Sequence, residues 1–205
     1  MLGRAAVAMW WDVAPEVRAE WEDWHSHEHM PERLGIPGFL RGTRWVAESG
    51  EPSYFVSYEV TSLRTITSGA YIERLNNPSP WSRQMMPHHR NMVRSLCRVR
   101  ASFGGGLAQV MMTVRFSPGR SKALPDLQRR KGVTGMQLLE SQPMAGPPTT
   151  EQKIRGGDAQ ADWVLLVCGY DVDAVRAAAG ELQLPGAIQG LYRLAYSMTP
   201  KDLPR

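Results

Sequence analysis

The sequence predicts an α+β fold made of two consecutive β-α-β-β-α-β units, and three observations carry that prediction. Strand-type alternation of apolar residues recurs at matching places in the two halves of the 205-residue chain. Each half closes on a similar segment, Ser95-Leu96-Cys97-Arg98-Val99-Arg100-Ala101-Ser102 and Gly190-Leu191-Tyr192-Arg193-Leu194-Ala195-Tyr196-Ser197, in which Leu, Arg, an aliphatic residue and Ser return at the same spacing. Between the halves stands a short glycine joint, Gly104-Gly105-Gly106, which opens no helix and so does not read as a phosphate loop.

Taken in order, Val7 to Val13 puts Val7, Met9, Trp11 and Val13 on one face, the period-2 signature of a half-buried strand. A helix follows from Pro15-Glu16, proline being suited to an opening turn, and ends before the turn Gly35-Ile36-Pro37-Gly38. Strands are expected at Arg41 to Ala47 and Ser53 to Val60, a helix around Leu63 to Leu75, and the closing strand near Ser95. The second half repeats the order: a strand at Val110 to Phe116, a short helical stretch at Ser121 to Lys131, a turn at Gly132-Val133-Thr134-Gly135, strands at Met136 to Ser141 and Asp162 to Tyr170, a helix at Val172 to Leu182, and the last strand. The Pro/Gly-rich stretch Pro143 to Gly157 reads as an expanded hairpin loop. The predicted domains are a ferredoxin-like module over 1–103, with a His-rich first helix, and a second, degenerate module over 107–205. Each module has both helices on one face of its sheet, so the two bare sheet faces are expected to pack on each other.

With 42% hydrophobic and 21% charged residues, disordered, collagen-like and coiled-coil classes are excluded. The formal charge of +4 comes from scattered Arg rather than a block, so neither nucleic acid nor a membrane is an expected partner. No run of about 18 apolar residues exists, and the opening AAVAMWW lacks a small-residue cleavage site. A cytoplasmic protein with its own N-terminus is expected, and the isolated Cys97 and Cys168 suit a reducing compartment. All five His, at 25, 27, 29, 88 and 89, lie in the first half.

The first helix carries the chemistry. At about 100° per residue, Val17, Trp21 and Trp24 share a stripe, Glu28 falls inside it, and His25 and His29 flank it, while His27 faces solvent. Pro31 lacks a donor and would clash with the His27 carbonyl, so the helix should kink or restart there. A carboxylate among tryptophans must protonate or hold a partner, so Glu28 is expected to pair with a histidine, or with Arg41 or Arg44 if its role is structural. Imidazoles at 25 and 29 could then move a proton to or from a bound molecule. The run His25 to His29 also matches the H-x-x-E-H zinc pattern, but the ~100-residue unit around it is no peptidase, and a metal site using His88 or His89 is a minor alternative. Trp81 and His88 precede the closing strand, where they form a surface loop or a flap over the pocket mouth.

The run Trp24-His25-Ser26-His27-Glu28-His29-Met30-Pro31-Glu32-Arg33-Leu34, followed by Ile36-Pro37-Gly38-Phe39-Leu40-Arg41, resembles the dimeric α/β-barrel superfamily, particularly its EthD-like members, in which an EHxP motif leads into a PGF turn. The resemblance implies two ferredoxin-like modules packed as a barrel within one chain, a pocket for a small apolar or aromatic molecule, and His29 as the pocket histidine. It covers a superfamily of cofactor-free monooxygenases, cyclases, isomerases, dehydratases and decarboxylases, together with haem-binding enzymes, and fold alone does not choose among them. The second half departs from the motif, having no His or Trp where a matching helix would stand, so one site per chain is expected with the second module as scaffold.

The expected function is acid/base chemistry on an aromatic or polyketide-like compound, of lyase, isomerase or cofactor-independent oxygenase type, with no cofactor. His29, Glu28 and His25 are the expected catalytic groups; Trp21, Trp24, Trp81, His88 and Arg41 are the expected substrate contacts. The alternatives are a non-catalytic small-ligand-binding or stress-related module, and a haem protein with His25, His29, His88 or His89 as axial ligand. The chain is expected to be pseudo-dimeric by itself, with a homodimer left open.

Overall fold

The structure, a computed structural model, describes residues 1–49, 52–117, 129–143, 146–181, 184 and 186–203. Eight strands form one closed antiparallel barrel: β1 (Ala5–Val13), β2 (Phe39–Ala47), β3 (Tyr54–Val60), β4 (His89–Phe103), β5 (Val110–Phe116), β6 (Val133–Gln142), β7 (Trp163–Gly169) and β8 (Ile188–Met198). Around the barrel they run β1-β3-β2-β8-β5-β7-β6-β4. The order β4-β1-β3-β2 of the first half therefore recurs as β8-β5-β7-β6 in the second. The halves do not meet as two sheets stacked face to face. Their edge strands are hydrogen-bonded instead, β2 to β8 and β4 to β6, so no strand edge is left open to pair with another chain.

Closure also changes what alternation means along β1. All nine of its residues are buried, not every second one. Ala6, Ala8 and Trp10 join Trp45, Phe55, Cys97, Leu139, Leu166, Cys168 and Tyr192 in one core, drawn from both halves. Val7, Met9, Trp11 and Val13 belong to a second core with Trp21, Trp24, Tyr54 and Tyr58. A strand with the barrel interior on one side and helices on the other must be apolar on both, which is why Trp10 and Trp11 stand side by side in sequence.

The helices of the first half cover that outer face: α1 (Arg18–Trp24), α2 (Met30–Leu34), α3 (Gly69–Asn76) and α4 (Pro80–Met85). Between α1 and α2 lies a π-helical turn, His25–His29, in which the Met30 amide bonds back to the His25 carbonyl. Pro31 has no amide to continue the α-helical ladder, so the wider turn absorbs the break that the sequence predicts there. α2 packs tightly on β2 because Gly42 has no side chain: a Cβ there would stand 2.9 Å from Met30 Cγ and Sδ. α3 begins at Gly69, capped by Ser68, later than the expected helix start near Leu63. Where the sequence suggested a loop or flap, Ser79 caps α4.

The stretch Pro143 to Gly157 is likewise more than a loop. It contains α5 (Thr150–Arg155), started by a capping box between Thr149 and Gln152 and stopped by Gly156 in the left-handed region. The chain after α5 is pinned to the first half: the Ala159 amide bonds to the Met92 carbonyl, and the Arg94 amide to the Ala159 carbonyl. The connection from β6 to β7 thus lays a helix of the second half over the first half's helical face. α6 (Val172–Gly180) packs against the outer face of β5 and β7. The expected helix at Ser121 to Lys131 falls largely outside the described residues, as does Leu182. Among the described residues, no helix is long and apolar enough to cross a membrane.

Candidate active site

Under α5, between the outer face of β1, β3 and β4 and the π-helical turn, lies a cavity of about 30 Å³. That is roughly the space of one or two water molecules. Met9, Trp11, Tyr58, Tyr71, Leu75 and Met92 supply its apolar wall. Its polar lining consists of His25, His29 and His89 with Arg33, Arg94, Glu151 and Arg155. An irregularity in the β1–β4 ladder lies beside it: Trp10 pairs with Val93 but Asp12 with Arg90, and Asn91 between them takes a left-handed φ of 55°. Asparagine tolerates that conformation, and the Asn91 amide donates to Asp12 Oδ2. The bulge falls between His89 and Met92, two residues that line the cavity.

The three histidines are held differently. His25 is 1% exposed and stacks on Trp21 with ring centroids 5.0 Å apart. Its Nδ1 lies 3.4 Å from Arg44 Nη1, whose guanidinium also donates to the Glu22 carbonyl and Ser26 Oγ. His29 sits 5.6 Å from the His25 ring and 4.6 Å from Trp24. His89 Nε2 accepts a 2.9 Å hydrogen bond from Trp21 Nε1, and Trp11 meets the His89 ring edge-on. Burial, then the Arg44 cation and its neighbours His89 and Arg33, holds His25 well below the ordinary imidazole value. Burial followed by Arg33, His25, His89 and Arg155 does the same to His29, and burial followed by Arg155 and His88 to His89. The lowered values favour the neutral form of all three near pH 7.

Opposite them, Arg33 of α2 forms a buried ion pair with Glu151 of α5, each side chain 3% exposed. Burial works against the guanidinium, but Glu151, Tyr71 and Tyr58 outweigh it and hold Arg33 above its ordinary value. Glu151 also faces Arg155 at 3.6 Å, and Arg155 grips Asp158. Arg94 donates to the Tyr71 hydroxyl at 3.0 Å.

The residues singled out in the sequence are distributed as follows. His25 and His29 line the cavity. Glu28 does not pair with a histidine or with Arg41 or Arg44; its Oε1 accepts from Trp24 Nε1 at 3.1 Å, from Ser82 Oγ at 3.2 Å and from Ser79 Oγ, tying the π-turn to the start of α4. Trp21 and Trp24 are fully buried behind the histidines rather than on the cavity wall. Trp81 packs, half-buried, against the helical core, and His88 lies in the turn before β4; neither lines the cavity. Arg41 points to the barrel interior, paired with Glu59 at 2.5 Å and bonded to the Gly105 carbonyl. His27 is exposed and paired with Asp23.

Sequence reasoning named His89 only as a metal or haem ligand, and it missed Arg33, Arg94, Tyr58 and the whole contribution of α5. The T-x-x-Q capping box at Thr149 was the available signal for that helix. The second half is accordingly more than a scaffold, since it supplies Glu151 and Arg155. Among the described residues, no group of three His, Cys, Asp or Glu stands close enough to hold a metal ion, Glu28 of the H-x-x-E-H run being engaged by the serines.

No family model matches the sequence, and no curated protein matches it significantly. Solved structures do match. An anthrone oxidase-like protein superposes with a TM-score of 0.58 over 97% of this chain and 93% of its own, at 9% identity. A protein assigned as a monooxygenase from Fusobacterium nucleatum subsp. nucleatum gives 0.52 over 97% and 96%, also at 9% identity. A third, assigned as a monooxygenase from Lactobacillus acidophilus, gives 0.53 over 96% of each chain at 7% identity. The likeness is one of fold. It spans nearly the full length of every chain compared, so the eight-stranded barrel and not one half of it is the shared unit.

Proposed function

We propose that this protein is a small-molecule enzyme of the monooxygenase-like class that removes a proton from an acidic aromatic or polyketide-like compound. The observation that carries this reading is the convergence of three histidines held below the ordinary imidazole value, His25 and His89 buried and His29 half-buried, on an apolar-walled cavity beside guanidinium groups. A neutral imidazole accepts the proton of a C–H or O–H flanked by a carbonyl or aromatic ring, and the cations nearby favour the anion left behind. In a cofactor-independent oxygenation, that carbanion would react with dioxygen: the substrate CH₂ becomes C=O, one oxygen atom is retained and the other leaves as water. Proton removal is shared with cyclase and dehydratase chemistry, and the names of the structural neighbours favour the oxygenase among them.

His29 is the proposed proton acceptor, with His25 beside it; Glu28 acts by positioning the π-turn. The small volume requires the ligand to displace Met9, Met92 and Leu75, flexible side chains suited to that motion. The same strand order in both halves supports reading the chain as two tandem ferredoxin-like modules, 1–103 and 107–205, forming an intramolecular dimeric α/β barrel, and the His25 to Arg41 run supports an EthD-like one. A cytoplasmic location and independence from cofactors belong to the same proposal.

The test is dioxygen uptake with anthrone as substrate, comparing wild type with His29→Ala. Uptake above the uncatalysed rate, lost about 10²- to 10⁴-fold in the variant, supports the reading. Uptake equal in both would remove His29 from the mechanism, and no uptake with anthrone or hydroxynaphthalenes would leave a binding module.

A further inference from the structure

Nine buried side-chain polar atoms make no hydrogen bond among the described residues, and six of them belong to residues lining the one cavity: Trp11 Nε1, His25 Nε2, His29 Nδ1, Arg33 Nη1, Tyr58 Oη and His89 Nδ1. A buried polar atom left without a partner is costly, so a cluster of six marks a place shaped for a polar ligand group. Its polarity can be worked out from the partners of the other ring nitrogens. Arg44 Nη1 has two N–H groups, and the Glu22 carbonyl at 2.9 Å and Ser26 Oγ at 3.0 Å take both, so its 3.4 Å approach to His25 Nδ1 sets no tautomer there. Trp21 Nε1 can only donate, so His89 Nε2 accepts and the proton sits on Nδ1. Trp11 and Arg33 are donors by nature. Three N–H groups, on Trp11, Arg33 and His89, thus have no hydrogen-bond acceptor among the described residues, Arg33 Nη1 standing 4.0 Å from Glu32 Oε2; Tyr58 can turn either way, and no hydrogen bond among the described residues sets the tautomer of His25 or His29.

We propose that the cavity is a donor-lined box for one anionic oxygen of a ligand, with Trp11, Arg33 and His89 as fixed donors, His25 Nε2 turned into a fourth when the oxygen binds, and His29 left as the proton acceptor. The box rests on the acid–base reading above only for its substrate. The oxygen could be the phenolate or enolate of an aromatic compound or belong to a free small oxyanion; the chemistry recognised is the same. Four donors around a space of about 30 Å³ match a single acceptor atom with several lone pairs, and the apolar wall of Met9, Leu75 and Met92 suits the carbon skeleton attached to it. The divided roles explain why three histidines are present: His89 delivers an N–H fixed by Trp21, His25 supplies a second when the oxygen binds, and His29 remains free to take the proton.

The experiment uses the full chain labelled with ¹⁵N at histidine. Long-range ¹H–¹⁵N spectra read the tautomers directly, and the expected result is Nδ1–H at His89 in the free protein and Nε2–H at His25 with formate bound. The opposite tautomer at either ring overturns the proposal. Titration follows with formate, with the neutral isostere formamide, and with 4-nitrophenol, whose phenolate is yellow. Formate should shift both ring N–H resonances and bind at least about tenfold tighter than formamide, as charge-assisted bonds do. 4-Nitrophenol should bind as its phenolate, with its ionisation moved to lower pH. Formamide binding as well as formate, or neither anion reaching the two rings, overturns the box. Formate binding without 4-nitrophenol keeps the box and assigns it to a free oxyanion, against the aromatic substrate; dioxygen uptake reports on the catalytic reading separately.

Discussion

Arg33 and Glu151 are 118 residues apart in sequence, yet they form a buried ion pair that joins a helix of the first half to a helix inserted in the second. Breaking such a pair from one side leaves an uncompensated charge in a low-dielectric site, which costs about 3–5 kcal/mol. Arg33→Met and Glu151→Leu should each destabilise the protein by that order in urea denaturation. The double variant should recover most of the loss, because Arg155 keeps its bidentate hold on Asp158 and two well-packed apolar side chains replace the pair. A double variant as unstable as the sum of the singles would show that α5 is held elsewhere.

How much of this was legible in the sequence follows from which interactions are local. The strands at Val110 to Phe116 and Tyr54 to Val60 were readable because period-2 alternation is a property of neighbouring residues. The alternation in β1 was read as buried against exposed, since only closure of the barrel makes Ala6, Ala8 and Trp10 as buried as Val7, Met9 and Trp11. His25 and His29 were legible from their four-residue spacing on one helix. Their partners were not: Glu28 is claimed by Ser79 and Ser82, His89 by Trp21, and Arg33 by Glu151, all through contacts more than 50 residues apart. Helical periodicity placed Trp24 and Glu28 on one stripe, but a stripe does not say which far segment will pack on it.

Glu28 is an anchor for α4 rather than a partner of imidazole. Glu28→Ala should lower stability by about 1–3 kcal/mol by leaving Trp24 Nε1 and two serine hydroxyls short of an acceptor. Glu28→Gln keeps one acceptor oxygen and should cost less. In the Gln variant the ring resonances of His25 and His29 should stay where they are in wild type. A displaced titration of either histidine would restore a Glu–His dyad.

Gly42 controls how closely α2 approaches the barrel. A Cβ there would meet Met30 Cγ and Sδ at 2.9 Å and Tyr58 Cε1 at 3.0 Å. Met30 can yield in part, so Gly42→Ala should cost about 1–3 kcal/mol rather than unfold the chain. Because the same displacement carries Arg33 and crowds Tyr58, thermal melting should fall together with formate affinity. A lowered melting temperature with unchanged formate binding would separate the packing of α2 from the geometry of the cavity.

The pH dependence of stability follows from the three cavity histidines, His25, His29 and His89. Their folded values lie below the ordinary imidazole range of about 6.5, so the unfolded chain takes up protons there while the folded chain does not. Stability they permit is complete above pH 6.5 and is lost as pH falls from that value toward the folded-state ones. Each contributes a slope of up to about 1.4 kcal/mol per pH unit in that window. Urea midpoints measured between pH 7.5 and 5.5 should fall steeply below 6.5, where carboxylates are still mostly ionised. His89→Phe removes one of the three titrating rings, so its curve should be flatter even if the variant is less stable at pH 7.5. A wild-type midpoint that stays level down to pH 5.5 would mean these rings take up their protons inside the folded protein, which contradicts the neutral lone pair that Trp21 requires of His89.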